Sequence, residues 1–291
     1  MTRVLITGAN SFVGTNFQKY SQFTSIEELS LFDKKVEDIE FSKYDVVLHL
    51  AAIVHQSKKI TESEYFKVNT DLCLRVAEQS KKAGVRQFVF LSTLKVYGEL
   101  VHDSVLENEN SKCYPNDAYG RSKYAAEIGL LKLDDASFKV SIVRTPLIYG
   151  EGVKANMLSL IRLVDSIPLL PFGKIDNKRN FTFVENLVGF IDQIIEKNVS
   201  GIFIAMDEKS LSTTEIVSYI SKYLGKNIFL FKLPKFIIWF AGIIVPNIIE
   251  SLYVSAEVEN NKTKQILSYK PPFSTEEGIK RTVLYYLENK K

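Results

Sequence analysis

RVLITGANSFVG, residues 3–14, sets an apolar run against a glycine-bearing turn. Val4, Leu5 and Ile6 form the unbroken apolar run expected of a strand buried on both faces, and the pattern after Phe12 turns helical. Strand, tight turn and helix N-terminus in that order make a site for a pyrophosphate. Backbone N–H groups point at the anion, and the helix dipole favours it. Glycines fall at Gly8 and Gly14, while Ser11 stands where a third glycine would be expected. Serine is the smallest side chain that still lets backbone approach the anion. Gly8, Ser11, Phe12, Val13 and Gly14 are therefore the expected diphosphate turn for a dinucleotide, and their place after the first strand carries most of the weight.

Outward from that turn, strands and helices alternate. Leu29-Ser30-Leu31-Phe32 reads as a second strand ending in Asp33, about twenty residues past the turn. A carboxylate there accepts ribose hydroxyls and repels a 2′-phosphate, which favours NAD(H) over NADP(H). Lys34 and Lys35 are either a solvated turn or a cationic neighbourhood for the phosphorylated form. Asp38 and Ile39 follow closely enough to flank an adenine. Val46 to Ala52 reads as a buried strand ending in small residues, Leu50, Ala51 and Ala52 among them, where a cofactor can lie against backbone. His49 within it reads as a packed, hydrogen-bonded core histidine. Helical spacing recurs from about 64 until Gly84 stops it. Gln87 to Leu91 then delivers Ser92 and Thr93 to the carboxyl end of the sheet, where doubly wound folds bind ligands. A polar loop leads to a helix from Tyr119 to about Lys132, followed by a strand at Val140 to Val143. The expected class is α/β: a doubly wound parallel sheet over residues 1–150, completed by 183–206. Residues 151–182 and 207–291 form a smaller lobe closing over the cofactor.

Within this frame Tyr119-Gly120-Arg121-Ser122-Lys123 places a phenol and an ammonium four residues apart, on one helix face. Such a pair suits proton transfer at a ketone or alcohol, with Lys123 expected to draw the phenol toward its working range. Of the fourteen tyrosines, one more has this spacing: Tyr286 with Lys290, read as a solvated helix end.

The 291 residues are 46% hydrophobic and 24% charged with a formal charge of +3, and Lys and Arg are dispersed, so nucleic-acid binding has no electrostatic footprint. Cys73 and Cys113 suit a reducing compartment and suggest neither a disulfide framework nor a metal site. Met1-Thr2-Arg3 runs straight into the first strand without a signal peptide, and a cytoplasmic protein is expected. Phe236 to Ile249 is about fourteen apolar residues containing Pro246, too short to span a bilayer. A buried or lobe-packing helix is expected there, with peripheral membrane contact as the alternative.

Together TGANSFVG, HLAA, STLKVYG and YGRSK, in this order and spacing, resemble the extended short-chain dehydrogenase/reductases of the NAD-dependent epimerase/dehydratase family. The resemblance implies a Rossmann domain with bound NAD(H) or NADP(H), a UDP-sugar substrate, and a homodimer built on helices near 65–83 and 119–132. It assigns Thr93, Tyr119 and Lys123 as the catalytic triplet. It places Leu50, Ala51, Ala52, Asn69 and Pro146 along the cofactor, Asp33 on its ribose, and Asp38 and Ile39 at its adenine. Asn156 and Arg179 would take the nucleotide diphosphate, where a guanidinium fork pairs well with phosphate; a surface-loop arginine is the bland alternative. Two departures matter. Leu94 and Lys95 stand where the family's 4,6-dehydratases carry an Asp-Glu pair, and Leu147 stands where 4-epimerases usually carry Asn. The resemblance is strongest to the 4-reductases of UDP-4-keto-6-deoxy-N-acetylhexosamines, which serve bacterial surface polysaccharides. A UDP-hexose 4-epimerase and a non-catalytic nucleotide-binding regulator are the alternatives. Lys95 is expected either at the sugar or paired with a loop carboxylate such as Glu99.

Overall fold

The structure, a computed structural model, describes residues 1–32, 34–54, 60–98 and 106–290. Asp33 and Glu99 lie outside them. In chain order, β1 (Arg3–Thr7) leads into α1 (Phe12–Tyr20), then β2 (Ser25–Leu29) and β3 (Val46–His49). Next come α2 (Glu62–Phe66), continued through a π turn (Lys67–Leu72) into α3 (Cys73–Lys82), then β4 (Gln87–Thr93), α4 (Ala118–Leu131) and β5 (Lys139–Thr145). Beyond β5 lie β6 (Leu147–Tyr149), α5 (Ala155–Ser166), β7 (Leu169–Leu170), β8 (Phe181–Phe183), α6 (Val184–Lys197) and β9 (Gly201–Ile204). The chain ends with α7 (Thr213–Leu224), β10 (Phe229–Leu230), α8 (Lys235–Ile244), α9 (Pro246–Tyr253), α10 (Asn261–Leu267) and α11 (Thr275–Asn289).

The central sheet has the order β2-β1-β3-β4-β5-β9, all parallel. From β1 the chain steps outward to β2 and then returns to β3 on the other side. That reversal opens a crevice at the carboxyl ends of β1 and β3, the place where such sheets take ligands. Alternate side chains serve opposite faces. Val4 and Ile6 join Phe17, Leu187 and Ile191 under α1 and α6, whereas Leu5 joins Val76, Phe88, Phe90 and Leu130 under α3 and α4. A third apolar cluster, with Met157, Ile161, Phe183, Val217 and Val283, ties α5, α7 and α11 to β8.

Two expectations are corrected and a third is refined. The second strand is Ser25–Leu29 rather than 29–32: its ladder with β1 ends at Thr7↔Leu29, because β1 gives way there to the glycine turn. Phe32 is left 93% exposed. The Phe236–Ile249 stretch is not a buried helix. It breaks into α8 and α9 at Pro246, which lacks an N–H and cannot continue the first helix, and α8 has no buried residue. Finally, Lys290 is exposed at the helix end, as expected, but it and Tyr286 are also tied down. Both bond the carboxylate of Asp165 on α5, which also pairs with Lys226 at 2.6 Å.

Candidate functional site

At the switch point the glycine turn lies on the segment after β3. Gly8 has φ +105°, and a Cβ on it would sit 2.6 Å from the Ala51 nitrogen, so only glycine fits. Leu50 N–H donates to the Thr7 carbonyl at 2.8 Å. Ser11 fills the gap in the glycine spacing as the N-cap of α1, its hydroxyl accepting from Gly14 N–H at 3.1 Å. Serine is among the best residues for that task. Asn69, buried in the π turn, clamps the neighbouring backbone: its Oδ1 accepts from Ile53 N–H at 2.8 Å, and its Nδ2 donates to the Ile53 carbonyl at 3.0 Å. The same Nδ2 lies 3.0 Å from the Ser122 hydroxyl. The amide thus braces the strand end and α4 together.

A carboxylate that sequence reasoning missed faces the turn. Glu28 Oε2 accepts from Asn10 N–H at 3.2 Å, and Oε1 is buried beside Gly14 without a hydrogen-bond partner among the described residues. The signal lay in register alone, since Glu28 pairs across from Ile6. Asp38 is exposed on a short 3-10 turn, and Ile39 packs half-buried against the core.

Thr93 ends β4 and caps the turn Leu94–Tyr97, its hydroxyl accepting from Lys95 N–H at 3.3 Å. Asp117 caps α4, accepting from Gly120 N–H at 2.6 Å, and thereby fixes the helix that carries Tyr119 and Lys123. The Tyr119 hydroxyl bonds Thr93. Burial pushes the phenol pKa well up, the Asp117 charge adds to this, and the Thr93 bond partly offsets it. Lys123 is 2% exposed, and its ammonium stands 3.8 Å over the Phe90 ring. Burial pulls its pKa down to about 8, against the pull of Cys73 and Glu127. The expected lowering of the phenol by Lys123 is therefore absent from this state. The ammonium rests on Phe90, and desolvation dominates both groups.

Behind the triplet, the buried Arg144–Glu127 pair (2.6 Å) joins β5 to α4. Glu127 also accepts from the Ser92 hydroxyl at 2.5 Å, and Arg144 donates to Tyr97 Oη at 2.9 Å. No spacing in the sequence announces this brace. Lys95 pairs with the capping carboxylate Asp117 at 2.6 Å, at the margin of Tyr119. Leu94 is buried and Leu147 is 37% exposed. Pro146 is half-buried between β5 and β6. Asn156 is exposed in the first turn of α5. Arg179 donates to the carbonyls of Glu250 and Val254 at 3.0 and 2.6 Å, so α9 holds its side chain. Tyr119 meets Thr93, with Lys123 four residues on along the same helix and its ammonium on Phe90; the turn meets Ala51, and Asn69 holds the backbone that follows. No bond joins Asn156 to Arg179 among the described residues.

A dinucleotide fits these residues. The turn has no side chain at Gly8 to obstruct it, the N-terminus of α1 favours its diphosphate, and Glu28 Oε1 is a buried acceptor lacking a donor among the described residues. Comparison with known proteins agrees. Over 315 aligned positions the chain is 34% identical to the UDP-glucose 4-epimerase of Vibrio cholerae, covering 98% of this chain and 95% of that one. Among solved structures, RMD from Pseudomonas aeruginosa complexed with NADPH superposes with TM-score 0.80 at 17% identity, covering 99% of this chain and 100% of that one. UDP-glucuronic acid 4-epimerase from Bacillus cereus in complex with NAD gives TM-score 0.77 at 20% identity, with full coverage of both chains, 100% each. The family model for the NAD dependent epimerase/dehydratase family matches residues 4–204, and the chain belongs to that family.

Proposed function

We propose that the chain catalyses hydride transfer at C4 of a UDP-hexose, the net reaction being reduction of the ketone of a UDP-4-keto-6-deoxy-N-acetylhexosamine. The observation that carries this reading is the Tyr119–Thr93 hydroxyl pair beside buried Lys123. A nicotinamide bound along the switch point supplies or accepts the hydride. Gly8, Ser11, Phe12, Val13 and Gly14 hold its diphosphate, Leu50–Ala52 and Pro146 line it, and Glu28 accepts its ribose hydroxyls. NAD(H) is favoured over NADP(H), because that carboxylate repels a 2′-phosphate.

Tyr119 donates its proton to the alkoxide forming at C4. Its raised pKa keeps it protonated at neutral pH and suits it to the acid's role. Thr93 gives the second hydrogen bond. Lys123 holds the nicotinamide ribose, and Arg179 and Asn156 take the substrate's diphosphate. Leucine at 94 transfers no proton, so loss of water from the sugar lacks its catalysts and the chemistry stops at C4. Leu147 offers no hydrogen bond to reorient a ketosugar between its two faces, which supports one-way reduction.

A second reading, 4-epimerisation with retained cofactor, is supported by the full-length likeness to a UDP-glucose 4-epimerase. One experiment separates them: the purified chain is mixed with NADH or NADPH and a UDP-4-keto-6-deoxy-N-acetylhexosamine, or with UDP-GlcNAc alone. Stoichiometric loss of nicotinamide absorbance supports reduction. Formation of UDP-GalNAc without net cofactor use supports epimerisation. Absence of both outcomes would overturn both readings.

A further inference from the structure

α8 turns an apolar face to solvent. Phe236, Trp239, Phe240, Ile243 and Ile244 are 71%, 70%, 59%, 62% and 66% exposed, and their spacing of three and four residues puts them on one stripe. Ile248 on α9 is also 54% exposed. The two helices pack on each other and are tied to the body at the carboxyl end of α9. There Asn177 and Arg179 donate to the carbonyls of Leu252, Val254 and Glu250.

The hairpin carries one exposed carboxylate, Glu250 on α9, and the charges that precede it in the chain are cationic. Between Glu215 and Glu250 every charged residue is a lysine: Lys222, Lys226, Lys232 and Lys235. Lys222 and Lys226 pair with Glu276 and Asp165. Lys232 and Lys235, at the amino end of α8, are exposed and form no ion pair among the described residues. An apolar stripe with a tryptophan and a lysine collar is the form of a helix lying in a membrane interface. No described helix is long and apolar enough to cross a bilayer.

We propose that the α8–α9 hairpin docks the protein on an anionic bilayer surface, the stripe entering the acyl boundary and Lys232 and Lys235 meeting lipid phosphates. This inference stands apart from the proposed reaction.

Trp239 is the chain's single tryptophan, so its fluorescence reports this face alone. The full chain is titrated with vesicles of phosphatidylcholine, and of phosphatidylcholine with phosphatidylglycerol. Expected are a blue shift, quenching by brominated acyl chains, co-sedimentation with the anionic vesicles, and release by high salt. Lys232→Gln with Lys235→Gln should weaken anionic-vesicle binding about tenfold or more, at roughly one lipid-phosphate attraction lost per lysine. Phe236→Ser with Phe240→Ser and Ile243→Ser should abolish partitioning, while circular dichroism and thermal unfolding stay unchanged because these side chains are exposed. Failure to bind either vesicle would overturn the proposal. So would a lipid-independent blue shift that grows with protein concentration and sediments as a dimer, since a second copy would then cover the face.

Discussion

Replacing Lys123 with Met should make the cofactor-free protein more stable while stopping its chemistry. The buried ammonium has its pKa drawn from 10.5 to about 8. At about 1.4 kcal/mol per pH unit, holding it charged at pH 7 costs roughly 3 kcal/mol. The cation over Phe90 returns about 1–2 kcal/mol of this. Methionine fills similar space without a charge, so a net gain of about 1–2 kcal/mol is expected, or about 2–6 °C in Tm for a chain of this size. The sign of the pH dependence follows. Between about pH 8 and 10.5 the unfolded chain binds the proton that the folded chain has released, so stability of the parent rises with pH across that window. Below pH 8 the cost is present in full; above 10.5 it is gone. The variant has nothing to titrate there, so its advantage should be largest at pH 7 and shrink as pH rises. Thermal unfolding of both proteins across this range checks it. A variant less stable at pH 7, or a stability gap indifferent to pH, would refute the claim that desolvation of Lys123 governs this site.

Tyr119→Phe should lower turnover by about a hundredfold or more, the usual weight of general acid catalysis, with unfolding little changed; near-normal steady-state rates would refute the role. Glu28→Gln removes the negative charge facing the turn and should shift the NADH-to-NADPH preference in kcat/KM toward NADPH; an unchanged ratio would return the discriminating task to Asp33. Gly8→Ala places a methyl 2.6 Å from the Ala51 nitrogen at φ +105°, and should abolish dinucleotide binding in a calorimetric titration or prevent folding; normal affinity would contradict the close packing of that turn.

What the sequence disclosed was local. The turn after β1, the helix it begins, and the shared face of Tyr119 and Lys123 each depend on a few neighbouring residues, and helical geometry makes the last unavoidable. What it withheld depends on pairing between distant segments. The end of β2 is set by register with β1, and so is the approach of Glu28 to Asn10 and Gly14. The direction of the Lys123 and Tyr119 shifts comes from burial, to which Phe90 contributes from β4. The bracing by Asn69 and by Arg144–Glu127 joins separate elements, across 16 and 17 residues of chain. Apolar composition signalled that Phe236 to Ile249 needs cover, but carries no information on what supplies it.

Tyr119, Thr93 and Lys123 are proposed to serve hydride transfer at C4 of the sugar, and that role has a direct test. The test is a single-turnover experiment with nicotinamide deuterated at its C4 position and a 4-keto UDP-sugar, the product being read by mass spectrometry and NMR. One deuterium at C4 of the hexose is the expected result, formed at least about a hundredfold more slowly by Tyr119→Phe. A protein that binds cofactor and sugar yet leaves C4 unlabelled would contradict it.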